Sequence, residues 1–206
     1  MLMLDSHLLK SEIAELKSEN ARLKALLDDL RMDPAKDAGR MAEIVVRNLV
    51  GGTSRHYGSK NDIKVGDYRI EVKYSSVKTP NRKTRRWTWS NIKTAKGSYH
   101  FLVLLGEKDE AFPGQYLDTD TTPWGKYVCF FIPWEDVAEL MPEGKARRMI
   151  DVNTDRKKVE RSTSKIHLKS KKVWSHMKKL EELPILINEY KSKCKPSQQA
   201  ESPCLE

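Results

Sequence analysis

Asp62, Glu71 and Lys73 are the residues of this chain whose types and spacing most directly suggest chemistry. They lie in NDIKVGDYRIEVKYSS, from Asn61 to Ser76, where two alternating runs meet at Gly66-Asp67, a pair suited to a two-residue hairpin loop. Such a loop sets Val65 opposite Tyr68, Lys64 opposite Arg69, Ile63 opposite Ile70, and Asp62 opposite Glu71. Alternation then gives one apolar face of Ile63, Val65, Tyr68, Ile70 and Val72. The other face carries Asp62, Lys64, Arg69, Glu71 and Lys73. Directly opposed side chains have β-carbons about 4.5–5.5 Å apart, so two carboxylates would repel each other unless a positive group sat between them. A divalent metal does this, with Lys73 on the same face. An ordinary surface network, with Asp62 paired to Lys64 or Lys73, is the competing reading of the hairpin alone.

An Asp, a short spacer and then Glu-x-Lys on the next strand resembles the core motif of the PD-(D/E)xK nuclease superfamily, with Asn61 standing where the family name has Pro. The resemblance covers roughly residues 38–140. It implies a restriction endonuclease-like mixed β-sheet flanked by helices, an α/β fold. It also implies Mg2+ as cofactor, with Mn2+ able to substitute, held by Asp62, Glu71 and the backbone carbonyl of Val72. The metal would polarise the scissile phosphate and activate a water, while Lys73 would orient or deprotonate that water. Glu43, on the preceding helix, matches a place where superfamily members often add a metal-holding glutamate; an exposed helix glutamate is the alternative.

Several elements must position these residues. KDAGRMAEIVVRNLVGG predicts a helix over 37–50, stopped by Gly51-Gly52, with Met41, Ile44, Val45 and Leu49 as an apolar stripe over the hairpin. SYHFLVLLG and YVCFFIPW are nearly continuous apolar runs, as expected of strands buried on both faces. Pro133 is placed to open a short helix, WEDVAELM. A crossover from the hairpin to the first of these strands predicts a mixed sheet. The acidic run 107–125, rich in Thr, Pro and Gly, reads as a solvated excursion, with Asp118 and Asp120 not expected to bind metal. LPILINEY predicts a last helix.

The 206 residues carry a formal net charge of +9, with 33% charged and 38% hydrophobic residues, which suits one core domain and a polyanionic partner. Between residues 51 and 100, Lys and Arg number twelve and Asp and Glu three. KTPNRKTRRWTWSNIK follows the carboxylates directly. Double-stranded DNA is therefore the expected partner, with Arg82, Lys83, Arg85 and Arg86 on phosphates and Arg82 and Asn91 as candidate base readers. Trp87 and Trp89 read more readily as core. A second basic stretch, 155–179, could clamp DNA through Lys165 and Lys169, or be a solvated helical face around Ile166, Leu168, Val173 and Trp174. No apolar run is long enough to span a membrane, and no small-molecule cofactor is suggested. Cys129 lies in an apolar run and Cys194 and Cys204 in a polar tail, without metal spacing, so a reducing cytoplasm is expected.

Residues 1–31 carry heptads. Leu2, Leu9, Leu16, Leu23 and Leu30 recur every seven residues, with Ile13, Asn20 and Leu27 at the companion positions. Leucine at one position, with a β-branched residue and one Asn at the other, favours a parallel two-stranded coiled coil. Asp5, Glu12 and Glu19 would face Lys10, Lys17 and Lys24 across that dimer. An amphipathic helix folded on its own domain is the alternative. The expected organisation is a dimerising helix over 1–31, a nuclease domain over 35–192 and a disordered tail over 193–206. The function expected is a homodimeric, sequence-specific endonuclease of type II restriction type. A homing, junction-resolving or repair nuclease is an alternative, as is a non-catalytic DNA-binding dimer.

Overall fold

Strict alternation in two adjacent strands decides the architecture. The computed structural model describes residues 12, 13, 15–20, 34–54, 62–81, 83–117, 126–141 and 148–193. The chain divides into two units, 1–38 and 39–206. In the first unit residues 15–20 are helical, and Ile13 and Leu16 are 48% and 61% exposed. Leu9, Leu23, Leu27 and Leu30 lie outside the described residues.

Helix α1 (Pro34–Val50) ends as its glycines predict: Gly51 takes a φ of 64°, and Gly52 N–H donates to Arg47 O at 3.0 Å. Its buried face is Ala42, Val45 and Val46, with Leu49 packed beside them, whereas Met41 is 51% exposed. The apolar stripe is thus rotated from the one expected, because small Ala42 lets the helix lie close to the sheet. After β1 (Thr53–Ser54), the hairpin β2 (Ile63–Val65) and β3 (Tyr68–Ser75) has the register read from its turn: Ile63 opposite Ile70, Lys64 opposite Arg69, Val65 opposite Tyr68.

Strand β3 then pairs in parallel with β6 (Phe101–Glu107), which pairs antiparallel with β7 (Tyr127–Pro133). With β9 (Met177–Lys178) this gives a mixed six-stranded sheet in the order β1-β2-β3-β6-β7-β9. Phe101, Val103 and Leu105 of β6 enter one core with Ala42, Ile63 and Ile70; Leu102 and Leu104 enter another on the opposite face. Strand β7 divides in the same way, Cys129 and Phe131 to the first core, Phe130 and Ile132 to the second. That is why both runs are apolar throughout.

The crossover from β3 to β6 supplies β4 (Lys78–Asn81) and β5 (Thr84–Trp89), which join β8 (Ile150–Asn153), from later in the chain, in a second, three-stranded sheet in the order β4-β5-β8. Trp87 and Trp89 are fully buried, and their indole N–H groups donate to Glu107 O at 2.8 Å and Leu105 O at 3.0 Å. The Trp87 ring lies over Gly106, where a Cβ would come within 2.6 Å of Cε2. These contacts fasten the second sheet to β6. Helix α2 (Trp134–Leu140) starts after Pro133. Helices α3 (Arg156–Arg161) and α4 (Lys165–Ser175) cover the second core through Val159, Val173 and Trp174. Leu168 is 55% exposed. Helix α5 (Leu183–Lys193) closes the first core with Leu183 and Ile187. Cys129 is a buried free thiol, and no described helix is long and apolar enough to cross a membrane.

The run after β6 is more than a solvated excursion. Asp109 is 1% exposed and Tyr116 packs on the second core. Asp118 and Asp120 lie outside the described residues.

Candidate active site

Asp62, Glu71 and Lys73, singled out in the sequence, come together along β3, with Glu43 of α1 within electrostatic reach. Asp62 precedes β2, and its backbone N–H donates to Ile70 O at 3.2 Å, extending the hairpin ladder by one bond. Its Oδ2 accepts from Val72 N–H at 2.8 Å. Beyond Ile70, β3 has no β2 residue opposite it, so the Asp62 carboxylate takes the place of the missing strand. N–H and C=O of one strand residue face the same edge, which puts the Val72 carbonyl on the Asp62 side.

Glu71 is fully buried. A buried carboxylate needs compensation, and two lysines supply it. Lys73 Nζ lies 2.7 Å from Oε1, at ion-pair distance though without hydrogen-bond alignment, and Lys93 Nζ donates to Oε2 at 3.0 Å. Glu43 is half-buried on α1. Its carboxyl is held above the usual carboxylate range by burial and then by the charges of Asp62 and Glu71, against the opposing pull of Lys73. Asp62 is also raised, by burial first and by Glu71 second, with Lys73 and the Val72 N–H working the other way. For Lys73 burial disfavours the ammonium, but Glu71, Asp62 and Glu43 together more than offset this, so its pKa stands above the ordinary lysine value.

Lys93 is the functional residue that sequence reasoning missed. It lies in the segment between β5 and β6, anchored by fully buried Ile92 and by Tyr99, whose hydroxyl donates to Lys93 O at 2.8 Å. Burial, and then the charge of Glu71, pushes the Tyr99 phenol far above its usual range. The one available signal was the charge balance: a buried glutamate facing an aspartate needs more than a single lysine.

Three carboxylates therefore meet two ammonium groups. Among the described residues no group of three or more His, Cys, Asp or Glu closes into a ligand sphere. The donor set nevertheless fits a hard dication. Glu71 Oε1 is buried with only the Lys73 ammonium beside it, Asp62 and Glu43 both resist ionisation through burial first and neighbouring carboxylates second, and every donor is oxygen. Mg2+ is commonly held by only one or two carboxylates, with water and phosphate completing its shell.

The expected DNA contacts fare differently from one another. Lys83 and Asn91 are exposed, Asn91 in the left-handed region at φ 56°. Arg86 is held loosely, 3.9 Å from Asp151. Arg85 grips Asp109 with both ends of its fork: Nε donates at 2.9 and 2.7 Å, Nη2 at 2.7 Å. Asp109 also accepts from Thr154 Oγ1 at 2.7 Å and Ala111 N–H at 3.0 Å. Arg85 is thus a structural clamp rather than a free phosphate ligand. Lys165 and Lys169 sit one turn apart on α4, the first exposed and the second half-buried. Arg82 lies outside the described residues.

No protein-family model and no curated protein matches this chain.

Proposed function

We propose that the chain is a Mg2+-dependent endonuclease of PD-(D/E)xK type acting on double-stranded DNA. The observation that carries this reading is the convergence of Glu43, Asp62, Glu71 and Lys73, with Glu71 buried beside a protonated lysine. The parallel β3–β6 pair beside a preceding helix agrees with the restriction endonuclease-like fold that the motif implies. When bound, Mg2+ would supply charge withdrawal from the scissile phosphate and a more acidic water.

Asp62 and Glu71 would hold the ion, with the Val72 carbonyl beside them and Glu43 behind. Lys73, kept protonated by the surrounding carboxylates, acts as a donor: it orients the attacking water and offsets charge building on the phosphate oxygens. Exposed Lys83 and the loosely held Arg86 supply sequence-independent hold on the backbone. Homodimerisation through residues 1–31 and a palindromic target complete the reading as a cytoplasmic restriction-type enzyme.

One observation favours a second reading. Asp62 already accepts from Val72, and Glu71 is already paired with two lysines, as in a DNA-binding dimer whose carboxylates are purely structural. Supercoiled plasmid incubated with Mg2+ or with chelator separates the two. Metal-dependent nicking that Glu71→Gln abolishes supports the enzyme; DNA retention without nicking in Mg2+ or Mn2+ supports the binding protein.

A further inference from the structure

The basic stretch 155–179 builds a cavity. About 520 Å3 of space opens to solvent where α3, α4 and the run before residue 118 meet, and it shares no residue with the carboxylate site. Lys157, Lys158 and Arg161 line it and are exposed, with no acidic side-chain partner among the described residues. Asp155 is the one carboxylate in the lining, and its Oδ1 is occupied, accepting Lys158 N–H at 3.1 Å as the cap of α3. Gln115 Oε1 accepts Lys157 N–H at 3.0 Å, which leaves the amide NH2 to donate into the space. His167 adds a ring nitrogen, Nδ1, that is buried without a hydrogen-bond partner.

The lining is therefore rich in donors and positively charged, in a shallow concavity open to solvent. Three cations around one concavity repel one another, and an anion with several acceptor oxygens relieves that repulsion while satisfying the donors. Phosphate has that chemistry. The volume is within the range of small-ligand pockets, roughly 300–1,000 Å3, and exceeds what a bare phosphate fills. Gln115 adds a neutral amide of the kind that contacts a sugar or base edge.

We propose that this cavity binds the phosphate of a nucleotide unit, whether a free mononucleotide or one carried by a DNA strand. The site stands whether or not the carboxylates cut DNA. Full-length protein, in chelator and at low salt, is titrated calorimetrically with dAMP, with inorganic phosphate and with a short blunt duplex. dAMP should bind, and more tightly than phosphate alone. Lys158→Ala combined with Arg161→Ala should weaken dAMP binding by about tenfold or more, the scale of charge-assisted hydrogen bonds. Its thermal midpoint should not move, since both side chains are exposed. Lys126→Ala removes an exposed charge outside the lining and should leave dAMP affinity unchanged. A duplex that displaces dAMP marks the cavity as a DNA contact; one that does not marks it as a free-nucleotide site. Absence of dAMP binding at millimolar concentration overturns the assignment, as does an equal loss in the Lys126→Ala control.

Discussion

Replacing Arg85 or Asp109 tests whether the arginine next to the proposed DNA contact Arg86 belongs to the fold or to the ligand. Asp109 is 1% exposed and receives five hydrogen bonds, three of them from Arg85. Removing one partner of a buried ion pair costs about 3–5 kcal/mol. The Arg85 side chain is 38% exposed, so its guanidinium recovers water when the carboxylate is lost, and Asp109→Asn should cost only about 2 kcal/mol. Arg85→Ala leaves the buried charge with Thr154 and the Ala111 N–H alone, and should cost about 3 kcal/mol. With a urea slope of about 2 kcal/mol/M, that moves the unfolding midpoint by about 1.5 M. The double substitution should cost less than the sum of the two.

The same pair has a pH signature. Burial alone would raise the Asp109 carboxyl, but Arg85, Thr154 and the Ala111 N–H together hold it below the ordinary value of 3.8. Its contribution is therefore present above that value and lost as pH falls through the lower folded-state pKa. The gap between the parental protein and Asp109→Asn should accordingly narrow in acid. DNA affinity of Arg85→Ala, measured where it is still folded, should keep its salt slope, whereas Lys83→Ala should reduce it. A midpoint for Arg85→Ala within about 0.3 M of the parent, together with a reduced salt slope, would refute the clamp and return Arg85 to the DNA surface.

Asp62→Asn keeps an acceptor for Val72 N–H and removes a carboxylate whose raised pKa marks its charge as disfavoured in the fold. It should raise the thermal midpoint at neutral pH and abolish nicking, and the stability gain should fade as pH falls through the raised pKa; a lowered midpoint at neutral pH contradicts the electrostatic account. Lys93→Met releases Glu71 Oε2 and should lower the Mg2+ concentration that half-saturates nicking while destabilising the metal-free protein, with unchanged values for both counting against a role for Lys93. Gly106→Ala drives a methyl group into the Trp87 ring and should cost about 1–3 kcal/mol in urea unfolding; a neutral result would mean that the second sheet can shift. Deleting residues 1–31 should raise the share of nicked over linearised plasmid, and a deletion that still sediments as a dimer with full double-strand cleavage removes the zipper from the mechanism.

The hairpin was legible because its information is local. A two-residue loop and strict alternation fix the register, and register alone brings Asp62 beside β3. The buried strands β6 and β7 were legible for a similar reason, since only a strand covered on both faces carries so unbroken an apolar run. The second sheet was not, because Trp89 finds Ile150 and Trp87 finds Val152 across most of the domain, and no local pattern encodes such a pairing. Lys93 was hidden by the same crossover. Asp109 sits among the acidic, Pro- and Gly-rich residues that mark solvated loops, and only its distant partners Arg85 and Thr154 reveal it as interior. The helix stripe was misjudged by treating Met41 as the larger apolar residue, when close packing selected small Ala42.

The division of partners between near and far has a consequence for how the protein comes together. Asp62 meets β3 through a hairpin, the kind of contact that forms in microseconds. Glu71 meets Lys93 across the crossover between β3 and β6, where β6 pairs in parallel with β3 and β5 pairs antiparallel with β8. Domains dominated by such long-range pairings fold slowly, in milliseconds to seconds. During that interval the two carboxylates face each other with only the hairpin's own cations, Lys64, Arg69 and Lys73, to offset them. The hairpin is then electrostatically least comfortable early in folding, and divalent ions or polyanion-free, low-salt conditions should change the rate of its consolidation as well as the stability of the finished fold.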